Sequence, residues 1–181
     1  NIIDLRGDLS KRLDACLSHT PSGGRSRIHG DYHLGQVLVA ADDVVIIDFE
    51  GEPRRSIEER RAKMSPLRDV AGMLRSIDYL AADAIRRRGP MAVPVDDRAF
   101  ARAELWRQQS RAGFLEAYNA AIEGSPTHPD NEAFARDLLD LFLIQKAAYE
   151  VSYELANRPT WVDIPLRGLL GLVNDKNGAG S

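Results

Sequence analysis

The sequence predicts an α+β chain that is mostly α-helical, with one short β-hairpin. Three observations predict it. Apolar residues recur at spacings of three and four over several long stretches, which marks helices with one buried face. Only Val37-Leu38-Val39 and Val44-Val45-Ile46-Ile47 are short β-branched runs, and Ala40-Ala41-Asp42-Asp43 between them reads as a turn. At 181 residues the chain is long enough to bury one substantial core.

From Asn1 to Ser18, Ile2, Ile3, Leu5, Leu9, Leu13 and Leu17 form a helical stripe that ends near Pro21-Ser22-Gly23-Gly24. Residues 29–36 read His-Gly-Asp-Tyr-His-Leu-Gly-Gln, and their two glycines predict a loop. The hairpin follows and returns at Asp48-Phe49-Glu50-Gly51, so Gln36 and Asp48 come to the same end. Gly51 to Lys63 is polar. Its arginines Arg54, Arg55, Arg60 and Arg61 are interrupted by Glu58 and Glu59, as on a solvated surface rather than in a phosphate site. Glu52 is read either as a residue reaching the acceptor or as a turn carboxylate.

Ser65 and Pro66 suit a helix N-cap and first position. Leu67, Val70, Ala71, Leu74, Ile77 and Ala81 then mark a helix running to Gly89-Pro90, with Asp69 in its first turn. Met91 to Asp97 reads as a loop. The next helix carries Phe114, Tyr118 and Ile122 on one face and stops at Gly124-Ser125-Pro126, and Trp106 on it suits a core or a lobe contact. A last long helix spans roughly Asn131 to Asn157, with Phe134, Leu138 and Leu141 as core; Lys146, Tyr149, Glu150 and Tyr153 share one of its faces. From spacing alone that face suits a packed helix with a Lys146–Glu150 surface pair. Trp161 either rims a pocket or pins the chain after the helix. The domain is expected to cover residues 1–173, with a disordered tail over 174–181.

The formal net charge of −3 points to neither a nucleic acid nor an anionic membrane as partner. The single cysteine, Cys16, excludes an internal disulfide and suits a reducing, cytoplasmic setting. No apolar run approaches the roughly 20 residues of a membrane span, and no secretory leader is visible. A start at Asn1, inside an expected helix, suggests a chain cut from something longer.

The loop and hairpin carry the chemistry. Asp31, Gln36 five residues later and the pair Asp48-Phe49 resemble the protein-kinase pattern of His-Arg-Asp, an Asn at the same offset and Asp-Phe-Gly. In that pattern the first Asp accepts the proton of the acceptor hydroxyl, and the other two residues hold magnesium. Phosphoryl transfer leaves the protein mainly positioning and charge neutralisation, so a carboxylate at the acceptor and hard oxygen donors at the metal are the residue types it needs. Asp31 fits the first role, Gln36 and Asp48 the second. A zinc reading of His29, Asp31 and His33 is weak, because the glycines break any helical ligand spacing. His29 is instead expected to pack beneath the loop and bond its backbone.

The run from Arg27 to Asp83, including Asp48-Phe49-Glu50-Gly51-Glu52-Pro53 and Ser65-Pro66-Leu67-Arg68-Asp69, closely resembles bacterial maltokinases. So does Lys146 to Trp161 with Ile164-Pro165-Leu166. The resemblance implies the C-terminal lobe of an aminoglycoside-phosphotransferase-like kinase, transferring phosphate from ATP to maltose with Mg2+. It implies that Asp69 braces the catalytic loop and that Lys146, Tyr149, Glu150, Tyr153, Trp161 and Glu52 line the acceptor site. Gln145 stands where maltokinases usually carry an acid, which keeps a glucosamine or other amino-sugar kinase on the same scaffold as the alternative. An N-terminal ATP-binding lobe, a fused trehalose synthase domain and self-association of the isolated lobe are further expectations. A non-catalytic sugar-binding or interaction lobe and a metal-dependent phosphoester hydrolase are the rival classes.

Overall fold

The computed structural model describes residues 5–86 and 97–174. Six α-helices and one hairpin make up these residues: α1 (Leu5–Leu17), β1 (Val37–Ala40), β2 (Asp43–Ile46), α2 (Ile57–Arg61), α3 (Leu67–Arg86), α4 (Asp97–Ile122), α5 (Glu132–Asn157) and α6 (Asp163–Asn174). The predicted 91–97 loop lies outside the described residues except for Asp97, which opens α4. Asn174 belongs to α6 rather than to a tail, and residues 175–181 of that predicted tail lie outside the description.

Helix α3 is the centre of the fold. Leu67, Val70, Ala71 and Leu74 on its apolar face meet Ala135 and Leu143 of α5. Phe114, Leu115 and Tyr118 of α4 close on the same cluster, as their spacing predicts. Leu143 and Ala147, rather than Leu141, are the buried aliphatic positions of the middle of α5. Asn131 caps α5 by accepting hydrogen bonds from the Ala133 and Phe134 amides.

Packing departs from two expectations, the buried stripe of α1 and the core alternative for Trp106. Leu13 and Leu17 of α1 are exposed; α1 is instead tied to α5 by Arg12 to Asp140 at 3.3 Å, while His19, just beyond it, meets Asp137 at 3.0 Å. Trp106 is 42 % exposed and is no core residue. The polar stretch after the hairpin is partly helical: Ser56 and Glu59 form a reciprocal capping box that starts α2.

The hairpin pairs Val37 with Ile46 and Ala40 with Asp43, antiparallel. Its apolar residues are not covered. Val39 is 81 % exposed, and Leu38, Val44, Val45 and Ile46 are exposed as well. Among the described residues no helix is long and apolar enough to cross a membrane.

Candidate active site

The loop of residues 29–36 is fixed from beneath by α3. Asp69, in the first turn of that helix, accepts from the backbone amide of His29 at 2.7 Å and from that of Gly30 at 2.9 Å. Burial pushes the Asp69 carboxyl above its ordinary value, and the two amides pull it back. Gly30 turns the chain at φ +85°, a region open to glycine at little cost. One turn along α3, Gly72 lets the Tyr32 carbonyl approach the helix: a Cβ there would stand 2.6 Å from that oxygen. The Leu34 amide is held by Ser76 of the same helix.

His29 is buried and does what its position in the loop suggested. The Asp31 amide donates to its Nδ1 at 3.3 Å, and its Nε2 lies 2.8 Å from the Ile47 carbonyl. A carbonyl can only accept, so Nε2 carries the proton. The ring therefore ties the Asp31 loop to Ile47, between the end of β2 and Asp48, with Phe49 packed on it at 4.8 Å between centroids.

The hairpin brings Gln36 and Asp48 together. The Gln36 Nε2 donates to Asp48 Oδ2 at 3.0 Å, across a sequence separation of 12. Asp48 itself adopts φ +63°, an uncommon left-handed conformation that turns its carboxylate out of the strand direction. Among the described residues no three His, Cys, Asp or Glu side chains cluster to enclose a metal. Magnesium needs no such enclosure: it takes one or two protein oxygens and completes its shell with phosphates and water. The Asp48 carboxylate fits that demand, and the Gln36 amide, which turns its nitrogen to Asp48, would offer its oxygen by rotating about its last torsion.

Asp31 faces a small cavity of about 30 Å³, room for a water molecule and little more. Lys146 of α5 fills the rest. Its Nζ lies 3.4 Å from Asp31 Oδ1 and 3.4 Å from Glu52 Oε1. Glu52 is only 6 % exposed, and its other oxygen accepts from Arg55 Nε at 2.9 Å. Burial alone would raise the Glu52 pKa; Lys146 and Arg55 more than offset it, and the carboxyl is held below its usual range. Tyr149 lines the same cavity, with the Lys146 ammonium 5.3 Å from its ring centroid.

Three residues predicted for the acceptor site do not line this cavity. Glu150 turns from the cavity to Arg75, which donates to its Oε2 from Nε at 2.9 Å and from Nη2 at 2.7 Å. Arg75 is buried inside the helical bundle and needs carboxylate partners there, whereas Lys146 finds its own in Asp31 and Glu52. Tyr153 stacks on Tyr149 at 6.4 Å but lies under Arg54 and Arg158 and does not line the cavity. Trp161 is held between Arg86 and Arg158, at 4.7 and 4.8 Å, and pins the chain between α5 and α6. Conversely, Arg55 lines the cavity although the sequence reading placed its basic stretch on a solvated surface, and Arg68, to which the sequence reading gave no role, lines it as well. The available signal was the four-residue offset of Arg55 and Glu59 with Glu52 three residues before, a charge pattern that ties the arginine down.

The same arrangement of elements occurs in solved proteins. Crystal form A of glucosamine kinase superposes with a TM-score of 0.70, at 21 % identity, over 98 % of this chain and 46 % of that one. A glucosamine kinase in complex with glucosamine, ADP and inorganic phosphate superposes with a TM-score of 0.69, at 21 % identity, over 94 % and 43 %. The fold is that of part of a glucosamine kinase. In sequence, the chain is 30 % identical over 174 residues to glucosamine kinase of Streptacidiphilus jiangxiensis, covering 93 % of this chain and 35 % of that protein. It is 29 % identical over 149 residues to glucosamine kinase of Mycolicibacterium smegmatis (strain ATCC 700084 / mc(2)155), covering 81 % and 34 %. The chain thus spans about a third of the length of these curated relatives. They are named as glucosamine kinases, where the sequence resemblance pointed to maltokinases. No family model matches the chain.

Proposed function

We propose that this chain is the acceptor- and metal-binding lobe of an ATP-dependent sugar kinase whose acceptor is an amino sugar. The observation that carries the reading is the braced loop. It sets the Asp31 carboxylate at the edge of a cavity while the hairpin places the Gln36 and Asp48 side chains side by side. Asp31 takes the proton of the acceptor hydroxyl as the phosphoryl group arrives. Asp69 and His29 do no proton chemistry; they fix the backbone from which Asp31 projects. Magnesium held at Asp48 and Gln36 would neutralise charge on the nucleotide phosphates.

The amino-sugar reading is favoured over maltose by the glucosamine kinase relatives. It also draws on the cavity itself: the Lys146 ammonium already sits between two carboxylates, a position that a cationic acceptor amine would occupy in turn. The exposed apolar hairpin supports a nucleotide-holding lobe packed against it, since water-exposed strands of this composition are otherwise an association hazard.

The test is ADP release by the full-length enzyme with glucosamine and with maltose, for the parent and for Asp31→Asn. Glucosamine-dependent turnover should fall by roughly 10²–10⁴-fold in the variant, with acceptor affinity nearly kept. Near-normal turnover of Asp31→Asn would remove that residue from the reaction, and a clear preference for maltose would overturn the acceptor assignment.

A further inference from the structure

A second cavity, of about 420 Å³, opens between α3, α4, α5 and α6 and shares no lining residue with the one at Asp31. Its volume is that of small-molecule sites, which run from roughly 300 to 1,000 Å³. Ala81, Phe100, Ala103, Leu143, Ile164 and Leu172 give it an apolar lining.

The charged groups around that lining are unequal. Five arginines face three carboxylates, Asp78, Glu104 and Asp163. The carboxylates are already committed. Asp78 accepts from Arg75, Arg107 and Arg111 at 2.9–3.2 Å, Glu104 accepts from Arg107, and Asp163 lies 3.4 Å from Arg86. The Arg107 hydrogen bonds hold the Glu104 carboxyl down at about 2, so it stays ionised and paired. Arg167 alone among these arginines has no hydrogen-bond or ionic partner within the described residues. Glu150 offsets Arg75 from outside the lining, so the cavity combines an apolar interior with an excess of one positive charge, the uncommitted guanidinium of Arg167 on α6.

We propose that this cavity binds a small organic anion with an apolar body, the body lying along the Phe100 and Ile164 lining and the anionic group meeting Arg167. A cationic ligand of the same size meets the excess of arginines, and a neutral one gains only the apolar contact. The site is separate from Asp31, so the inference stands or falls independently of the kinase reading.

The experiment is isothermal titration of the 181-residue chain with sodium octanoate, octylammonium chloride and 1-octanol. It is repeated on Arg167→Glu, which alters an exposed side chain, and on Ala82→Trp, which fills the cavity from α3. Folding of both variants is checked by thermal melting. Octanoate should bind at least about fivefold more tightly than octanol, octylammonium should not bind detectably, and Arg167→Glu should weaken octanoate by about fivefold or more. Ala82→Trp should abolish binding of both octanoate and octanol. Equal affinity for octanoate and octanol, no octanoate binding up to about 10 mM, or unchanged octanoate affinity in a folded variant overturns the proposal.

Discussion

Gly72→Ala puts the smallest side chain where α3 meets the loop of residues 29–36. In an exposed helix interior the change would stabilise by about 0.5–1 kcal/mol, because alanine loses less conformational freedom than glycine. At Gly72 the new methyl would stand 2.6 Å from the Tyr32 carbonyl oxygen, with the Tyr32 carbonyl carbon at 3.6 Å. An ordinary carbon contact is nearer 3.5 Å, so helix and loop must separate by about 0.5–1 Å. Forcing one methyl into a packed contact costs roughly 1–3 kcal/mol, and after the helical gain the net loss should be about 1–2 kcal/mol. Gly113→Ala in α4 is the control: nothing lies within 4 Å of its Cβ position, so it should gain the helical term alone. Urea titration of the 181-residue chain measures both. If Asp31, one residue from Tyr32, is the base as proposed, the same displacement in the full-length protein should also cost turnover, since a 1 Å misplacement of a reacting group can cost about 10²-fold. A Gly72→Ala chain as stable as the parent, or as stabilised as Gly113→Ala, would refute the account of how this loop is seated.

Arg75→Met leaves Glu150 buried without its main partner and should destabilise the chain by about 3–5 kcal/mol, while adding Glu150→Met should recover most of it. Equal stability of the single and double variants in urea would deny the pairing. Glu52 bears on pH: its folded pKa is lowered, so its contribution is complete above its ordinary value near 4.5 and is lost as pH falls through the lowered one. The parent should therefore lose more stability than Glu52→Gln between about pH 5 and pH 3, and parallel losses in thermal melts would show that Glu52 is not held down by Lys146 and Arg55.

Much of the framework was legible because it depends on local rules. The α3 stripe, the Asn131 cap and the hairpin follow from spacing, a capping residue and two β-branched runs, and none needs knowledge of what covers them. What failed needed exactly that knowledge of neighbours. The leucines of α1 recur every four residues, a far weaker stripe than that of α3, and Leu13 and Leu17 face water, with no helix packed over them among the described residues. Helix α6 was not among the expected elements, and Pro165 stands two residues after its start. Proline is tolerated in a first turn, where its missing N–H has no helical acceptor to lose. The Ser56–Glu59 capping box was readable three residues apart but was hidden among arginines.

The face of α5 shows how far spacing carries into a site. Lys146, Tyr149, Glu150 and Tyr153 do lie along one side of the helix, and from that alone a single pocket is a fair expectation. Their destinations are set by residues on other elements. Arg75, buried in α3, draws Glu150 inward, while Glu52 and Asp31 draw Lys146 toward the loop, so one helical turn separates a packing interaction from the candidate acceptor cavity. This partition has a chemical consequence. With Glu150 committed to Arg75 and Asp69 to the loop amides, the carboxylates left at the cavity to meet an acceptor are Asp31 and Glu52, and both are bridged by Lys146. On the proposed reading, recognition of the acceptor and release of Lys146 would be the same event, because whatever enters between those carboxylates must replace the charge that now holds them together.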